Sequence, residues 1–143
     1  MKLFQRTVVI AVAAVGLFVM SGVSAKKSAK DMVVAADQMH FQDAMPGISK
    51  ATLWGDSAKG PYVCITRFAK GTKVGWHQHP HDIKAVVISG TMLYDNGSGE
   101  KRLGPGSFLQ ERASVRHTAA ATPDSDLEFL EEGAGPFGIQ LEK

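Results

Sequence analysis

Three of the five histidines in this sequence fall within five residues, as His77-Gln78-His79-Pro80-His81, and Asp82 follows directly. Alternate residues of a strand share a face, so His77 and His79 would aim two imidazoles in one direction. Neutral imidazole suits zinc, copper, iron and nickel, with water or a carboxylate completing the shell. His117, in the strand-like run Val115 to Ala120, is the one histidine of the β-patterned region outside that cluster. Two strands that brought His77, His79 and His117 together would build an open metal site. His81 continues the i, i+2, i+4 series and is a possible additional ligand, although Pro80 would bend the strand before it. His40, remote in sequence, is expected to be a surface or packing residue.

The elements that must position these imidazoles are short. From Ile48 onward, apolar and β-branched runs are separated by Gly, Pro, Asn, Asp and Ser, the pattern of strands and tight turns. Strands are expected over Lys50 to Trp54, Tyr62 to Phe68, Val74 to His79, Ile83 to Ser89 and Thr91 to Tyr94. Further strands are expected over Lys101 to Leu103, Ser107 to Gln110, Val115 to Ala120, Leu127 to Glu132 and Ile139 to Leu141. The run Lys84 to Ser89 is so rich in β-branched residues that it suits a strand buried on both faces. Asp95-Asn96-Gly97-Ser98-Gly99 reads as a hairpin tip. Before the strands, Asp31 is placed to cap a helical turn over Met32 to Ala36, Met39-His40-Phe41 looks strand-like, and Pro46-Gly47 marks a turn. The class is all-β, a sandwich or small barrel, and without an internal repeat one domain suffices.

The first 25 residues read as a secretory leader rather than as part of the fold. Lys2 and Arg6 precede an uncharged apolar run from Thr7 to Met20, and Val23-Ser24-Ala25 offers the small residues of a cleavage site. The organisation expected is a signal peptide over 1–25, an N-terminal segment over 26–47 and a barrel over 48–143. The product would be periplasmic or secreted, with no stable membrane span after cleavage. Without Lys2 and Arg6, 14 basic residues face 14 acidic ones; no basic block remains to bind nucleic acid. Cys64 is the only cysteine, so no disulfide can close within the chain. Its apolar neighbours mark it as a buried small hydrophobe. A chain of this size buries roughly 65% of its unfolded surface, enough for one unstapled core.

The spacing around the histidines resembles the cupin superfamily. Gly71, five residues, His77-Gln78-His79, three residues, Ile83, six residues, Gly90 matches the first cupin motif, with Ile83 at the position of the usual Glu. Pro105-Gly106, ten residues, then His117 is similar to the second motif. The segments Leu53-Trp54-Gly55-Asp56, Lys59-Gly60-Pro61-Tyr62 and Gly135-Pro136-Phe137-Gly138-Ile139 look like those of small exported single-domain cupins, mostly of unassigned function. The resemblance implies a double-stranded β-helix, the jelly-roll barrel, with a divalent transition metal (zinc, iron, manganese, nickel or copper) on His77, His79 and His117. It also implies a homodimer, since cupins commonly pair through their sheets.

The departures shape the functional expectation. Ile83 cannot coordinate, Arg112 replaces a common proline, and Ala121 stands where the second motif often has Asn. A site of three histidines without a carboxylate is chemically sound; a degenerate site that holds no metal is the alternative. Asp82, Glu111 and Glu132 are substitute carboxylates by type, and Lys84 with Glu111 could form an ion pair. Trp54, Phe68, Trp76, Tyr94, Gln110 and Glu132 are candidates to line a small-molecule pocket. The function expected is metal-dependent action on a small molecule, with Tyr94, Glu132 and His81 as acid or base candidates by type. The competing expectation is a non-catalytic ligand-binding or sensing module, or a barrel whose oligomeric contacts are its function.

Overall fold

Short apolar runs broken by turn residues become eleven strands among the described residues. A computed structural model of the chain describes residues 30–142; the leader expected over 1–25 lies outside them. In chain order the strands are β1 (Gln42–Met45), β2 (Ile48–Gly55), β3 (Tyr62–Phe68), β4 (Lys73–Gln78), β5 (Ile83–Ser89) and β6 (Met92–Asp95). They continue as β7 (Lys101–Leu103), β8 (Phe108–Glu111), β9 (His117–Ala121), β10 (Leu127–Gly133) and β11 (Gln140–Leu141). One sheet has the order β1-β2-β3-β10-β5-β8 and the other β11-β4-β9-β6-β7. Neighbours pair antiparallel throughout. From β3 to β6, and again from β7 to β11, each strand crosses to the opposite sheet. That alternation is the jelly roll.

Inward residues of the two sheets meet in a core around Leu127, Met92, Val87 and Ala85. The rings of Phe68 and Phe129 meet edge-on with centroids 5.7 Å apart, a favoured aromatic geometry. Cys64 is buried, and burial together with the nearby charge of Glu131 pushes its thiol up to about 11. It is inert packing. At Gly90, which closes the histidine motif, φ is +74° and a Cβ would stand 2.1 Å from the Asp126 carbonyl oxygen. Only glycine fits both the left-handed backbone and the close approach.

Two local expectations are corrected. A single 3-10 turn at Ala36–Gln38 replaces the helical turn over Met32 to Ala36, in keeping with the reluctance of β-branched Val33 and Val34 to enter a helix. Pairing then starts at Gln42 rather than within Met39-His40-Phe41, where Phe41 instead lies 3.6 Å beneath the Arg67 guanidinium. The second correction concerns β5. It buries only one face: Ile83, Ala85 and Val87 point inward, whereas Val86 and Ile88 are exposed. A β-branched run packs equally well on a half-open sheet, and composition does not say which face is covered.

Candidate metal centre

β4 and β9 lie side by side, and His77 is the register partner of His117. A strict period of two would turn His77 away from the side that Val74 faces. A register shift between Val74 and His77 moves the strand by one residue, so Val74, His77 and His79 all face inward, as a β-bulge permits. His79 follows the last residue of β4. The three imidazoles are buried, with ring centroids 4.2 Å apart for His77 and His117, 5.0 Å for His77 and His79, and 5.3 Å for His79 and His117. One ligand atom from each lies within 4.8 Å of the others.

Main-chain carbonyls fix how each ring is turned. His77 Nδ1 donates to Gly75 O at 2.7 Å, His79 Nδ1 to Gly138 O at 2.6 Å, and His117 Nδ1 to Val115 O at 3.1 Å. A carbonyl can only accept, so Nδ1 carries the proton and each neutral ring keeps its lone pair on Nε2. Hydrogen bonds of this kind, made behind the ring, set the tautomer and orientation of metal-binding histidines. Tyr94 stacks against His117 at 5.4 Å and supports the ring from behind.

A carboxylate approaches two of the three imidazoles from another strand. Glu111, the last residue of β8, is the register partner of Ile83. Its oxygens lie 3.2 Å from His117 Nε2 and 3.7 Å from His79 Nε2. His117 Nε2 is nonetheless a buried nitrogen without a hydrogen bond: with the proton on Nδ1, it faces the carboxylate with a lone pair and nothing to donate. Two donors each about 2.1 Å from a tetrahedrally held ion stand about 3.4 Å apart, close to the 3.2 and 3.7 Å that separate Glu111 from His117 and His79. Converging lone pairs, carbonyl-anchored Nδ1 atoms and an orphaned buried nitrogen fit a divalent transition metal.

The electrostatics agree. Burial pushes the His77 imidazole down to about 4 and also lowers His79, so both are neutral at pH 7, the form that can ligate a metal. Burial acts the same way on His117, but the adjacent Glu111 outweighs it and raises that imidazole.

The loop joining β8 to β9 carries Glu111 at one end and His117 at the other, and Asp82 ties it down. Asp82 accepts from the Ala113 N–H at 2.9 Å and from Arg112 Nη1 at 2.9 Å, while the Ser114 N–H donates to His79 O at 2.9 Å. The polar pair Glu111-Arg112, unusual against the motif, thus divides its work: Glu111 faces the centre and Arg112 anchors the loop. Asp82 is a clamp rather than a ligand. His81 is exposed, with its ring against Gly135, outside the cluster.

Inside the barrel His77, His79 and Glu111 open on a cavity of about 160 Å³. Of the six residues expected to line a pocket, Phe68 does so. Trp54 is exposed at the end of β2. Trp76 stacks beneath Arg116 at 4.2 Å, turned outward by the bulge that turns His77 in. Tyr94 sits behind His117. Gln110 and Glu132 face outward, toward Asp82 at 3.5 Å and Lys84 at 3.1 Å respectively. Lys84 therefore pairs with Glu132 and not with Glu111, because the pleat puts Lys84 and Glu111 on opposite faces of the sheet.

Sequence reasoning missed a second polar group in the cavity wall. Glu131 is only 4% exposed and accepts from Lys50 Nζ at 2.8 Å on both oxygens, from Thr66 Oγ1 at 2.8 Å and from the Tyr62 hydroxyl at 2.5 Å. Burial raises the Glu131 carboxyl, but Lys50 outweighs it and holds the group below the usual carboxylate range. Burial and the Glu131 charge raise the Tyr62 phenol. A signal was available: Lys50 is in phase with inward Ile48, and Glu131 with inward Leu127 and Phe129.

Known proteins share this frame. The model of the ChrR cupin-like domain matches residues 29–134. Among solved structures, KdgF from Halomonas sp. is similar at 23% identity and TM-score 0.60, covering 70% of this chain and 92% of that one. The polyketide cyclase RemF from Streptomyces resistomycificus is similar at 15% identity and TM-score 0.68, covering 80% and 87%. An RmlC-like cupin from Shewanella frigidimarina is similar at 18% identity and TM-score 0.63, covering 73% and 91%. At these identities the likeness is one of fold. No curated protein matches.

Proposed function

Because the chain belongs to the ChrR cupin-like domain family, we propose that it holds a divalent transition metal on His77, His79, His117 and Glu111 and presents it to a small molecule inside the barrel. The observation that carries this reading is the Glu111 carboxylate, which meets two of the three imidazoles from the strand beside the vacated Ile83 position. Three imidazoles and one carboxylate suit zinc, iron, manganese, nickel or copper. A bound ion would supply Lewis acidity and a more acidic bound water. The chain's own groups would orient the imidazoles through carbonyls and shield the centre with apolar walls. Metal content decides the matter: stripped protein should take up one equivalent of a divalent metal, and His117→Ala should take up none. Wild type that stays metal-free after reconstitution would contradict the reading.

Binding without turnover is the second reading, and the state of the lumen favours it. Glu131 is saturated by four hydrogen bonds and Tyr62 donates to it, so neither is free to move protons. Metal-dependent turnover on a broad substrate panel would argue against this reading.

We further propose an exported homodimer. Lys2, Arg6, the apolar run Thr7 to Met20 and Val23-Ser24-Ala25 support export; the N-terminus recovered from a periplasmic or culture fraction should be Lys26. Exposed Val86, Ile88 and Phe108 on the outer face of the larger sheet support self-association.

A further inference from the structure

The Lys50 and Glu131 pair has no part in holding the metal, yet both residues line the same cavity as His77, His79 and Glu111. A buried ion pair adds little stability over apolar residues of equal size, so its presence in the lumen calls for a use. Glu131 is fully occupied. Lys50 has three N–H donors, and among the described residues only the two Glu131 oxygens accept from it. Its Nζ lies 3.8 Å over the Phe137 ring, and Phe137 also contacts His79 at 5.5 Å between centroids. The ammonium group and the metal centre therefore flank one aromatic side chain.

Charge defines what enters. With neutral imidazoles, a divalent cation beside Glu111 would carry one net positive charge and the Lys50 and Glu131 pair none, so the metal-loaded lumen as a whole would keep one uncompensated positive charge. An unbalanced charge in an apolar enclosure is strongly disfavoured. The remaining walls, among them Ile48, Phe68, Met92, Phe129 and Ile139, are apolar. An apolar cavity of about 150 Å³ accommodates a benzene-sized molecule, and this one is about 160 Å³.

We propose that the lumen binds a small organic monocarboxylate, with its carboxylate on Lys50, its apolar body of roughly six carbons against these walls, and the metal centre at its other side. This rests on the metal reading above and adds the ligand class.

Calorimetry on zinc-loaded protein with benzoate and its neutral isostere benzamide tests it, with zinc stoichiometry measured separately. Benzoate should bind at least about tenfold tighter than benzamide. Lys50→Met should abolish that preference while zinc stoichiometry stays at that of wild type. Since Lys50→Met strands the Glu131 carboxylate and could unfold the barrel, Lys50→Met combined with Glu131→Gln provides an uncharged wall with the same expected loss. Equal binding of the two compounds, no binding of benzoate, or a preference that survives removal of Lys50 would overturn the proposal alone. Failure of wild type to take up zinc or any other divalent metal would overturn the metal reading, and this proposal with it.

Discussion

Ile83 and Glu111 face each other across the β5 and β8 ladder, so a carboxylate stands beside the position where the motif lacks one. Register partners project to the same face of a sheet. Moving the acid sideways by one strand, about 4.8 Å, is within the reach of a Glu side chain. On the proposed metal reading, the departure at Ile83 relocates a ligand instead of removing it.

The Asp82 clamp should matter to the metal more than to the fold. Asp82→Ala frees the Arg112 and Ala113 contacts that hold the loop between Glu111 and His117. Supporting contacts of this kind typically change metal affinity by about 10- to 100-fold. Chelator competition should show a loss of at least about tenfold, with the far-UV circular dichroism spectrum unchanged. Unaltered affinity would mean that the loop is held without Asp82.

Stability should fall in acid through Glu131. Its folded carboxyl is held below its ordinary value of 4.5, so its contribution is fully present above that value and is lost as pH falls through the lower folded one. Thermal unfolding of wild type should weaken steeply below pH about 4.5, while Glu131→Gln should show a flatter acid limb. Lys50→Ala leaves the carboxylate buried and unpaired and should cost about 3–5 kcal/mol. Parallel acid limbs for wild type and Glu131→Gln would rule out this linkage.

Association, if it uses the outer face of the larger sheet, should depend on Phe108. That ring is 61% exposed and is in register with half-exposed Val86. Phe108→Glu should shift the mass measured by light scattering from dimer to monomer without lowering metal content. A dimer that persists in Phe108→Glu would place the contact elsewhere.

Much of this was legible in the sequence because two periodicities coincide. Tyr62–Phe68, Ile83–Ser89 and Lys101–Leu103 were readable to the residue, since turn residues bound each apolar run. His77, His79 and His117 were readable from motif spacing. Glu111 was readable only as one of three substitute carboxylates; its place beside Ile83 was not, because strand order and register, which local pattern does not specify, bring it there. The bulge before His77 was equally hidden; a strict alternation from Val74 would have sent that imidazole outward. The charged lumen was different. Lys50 and Glu131 sit in phase with buried neighbours, and a charged residue on an apolar face was the cue. The aromatic residues misled for the converse reason, since Trp54 and Trp76 suit an exposed or cation-covered strand face as well as a pocket.

The central claim is that Glu111 replaces the carboxylate that Ile83 cannot provide, and a transplant tests it most directly. Metal affinity should be measured by chelator competition for wild type, for Glu111→Ala, and for Glu111→Ala combined with Ile83→Glu. Glu111→Ala should weaken binding by at least about 100-fold, beyond the usual effect of a supporting residue, and Ile83→Glu should recover most of that loss. Unchanged affinity in Glu111→Ala would contradict the account.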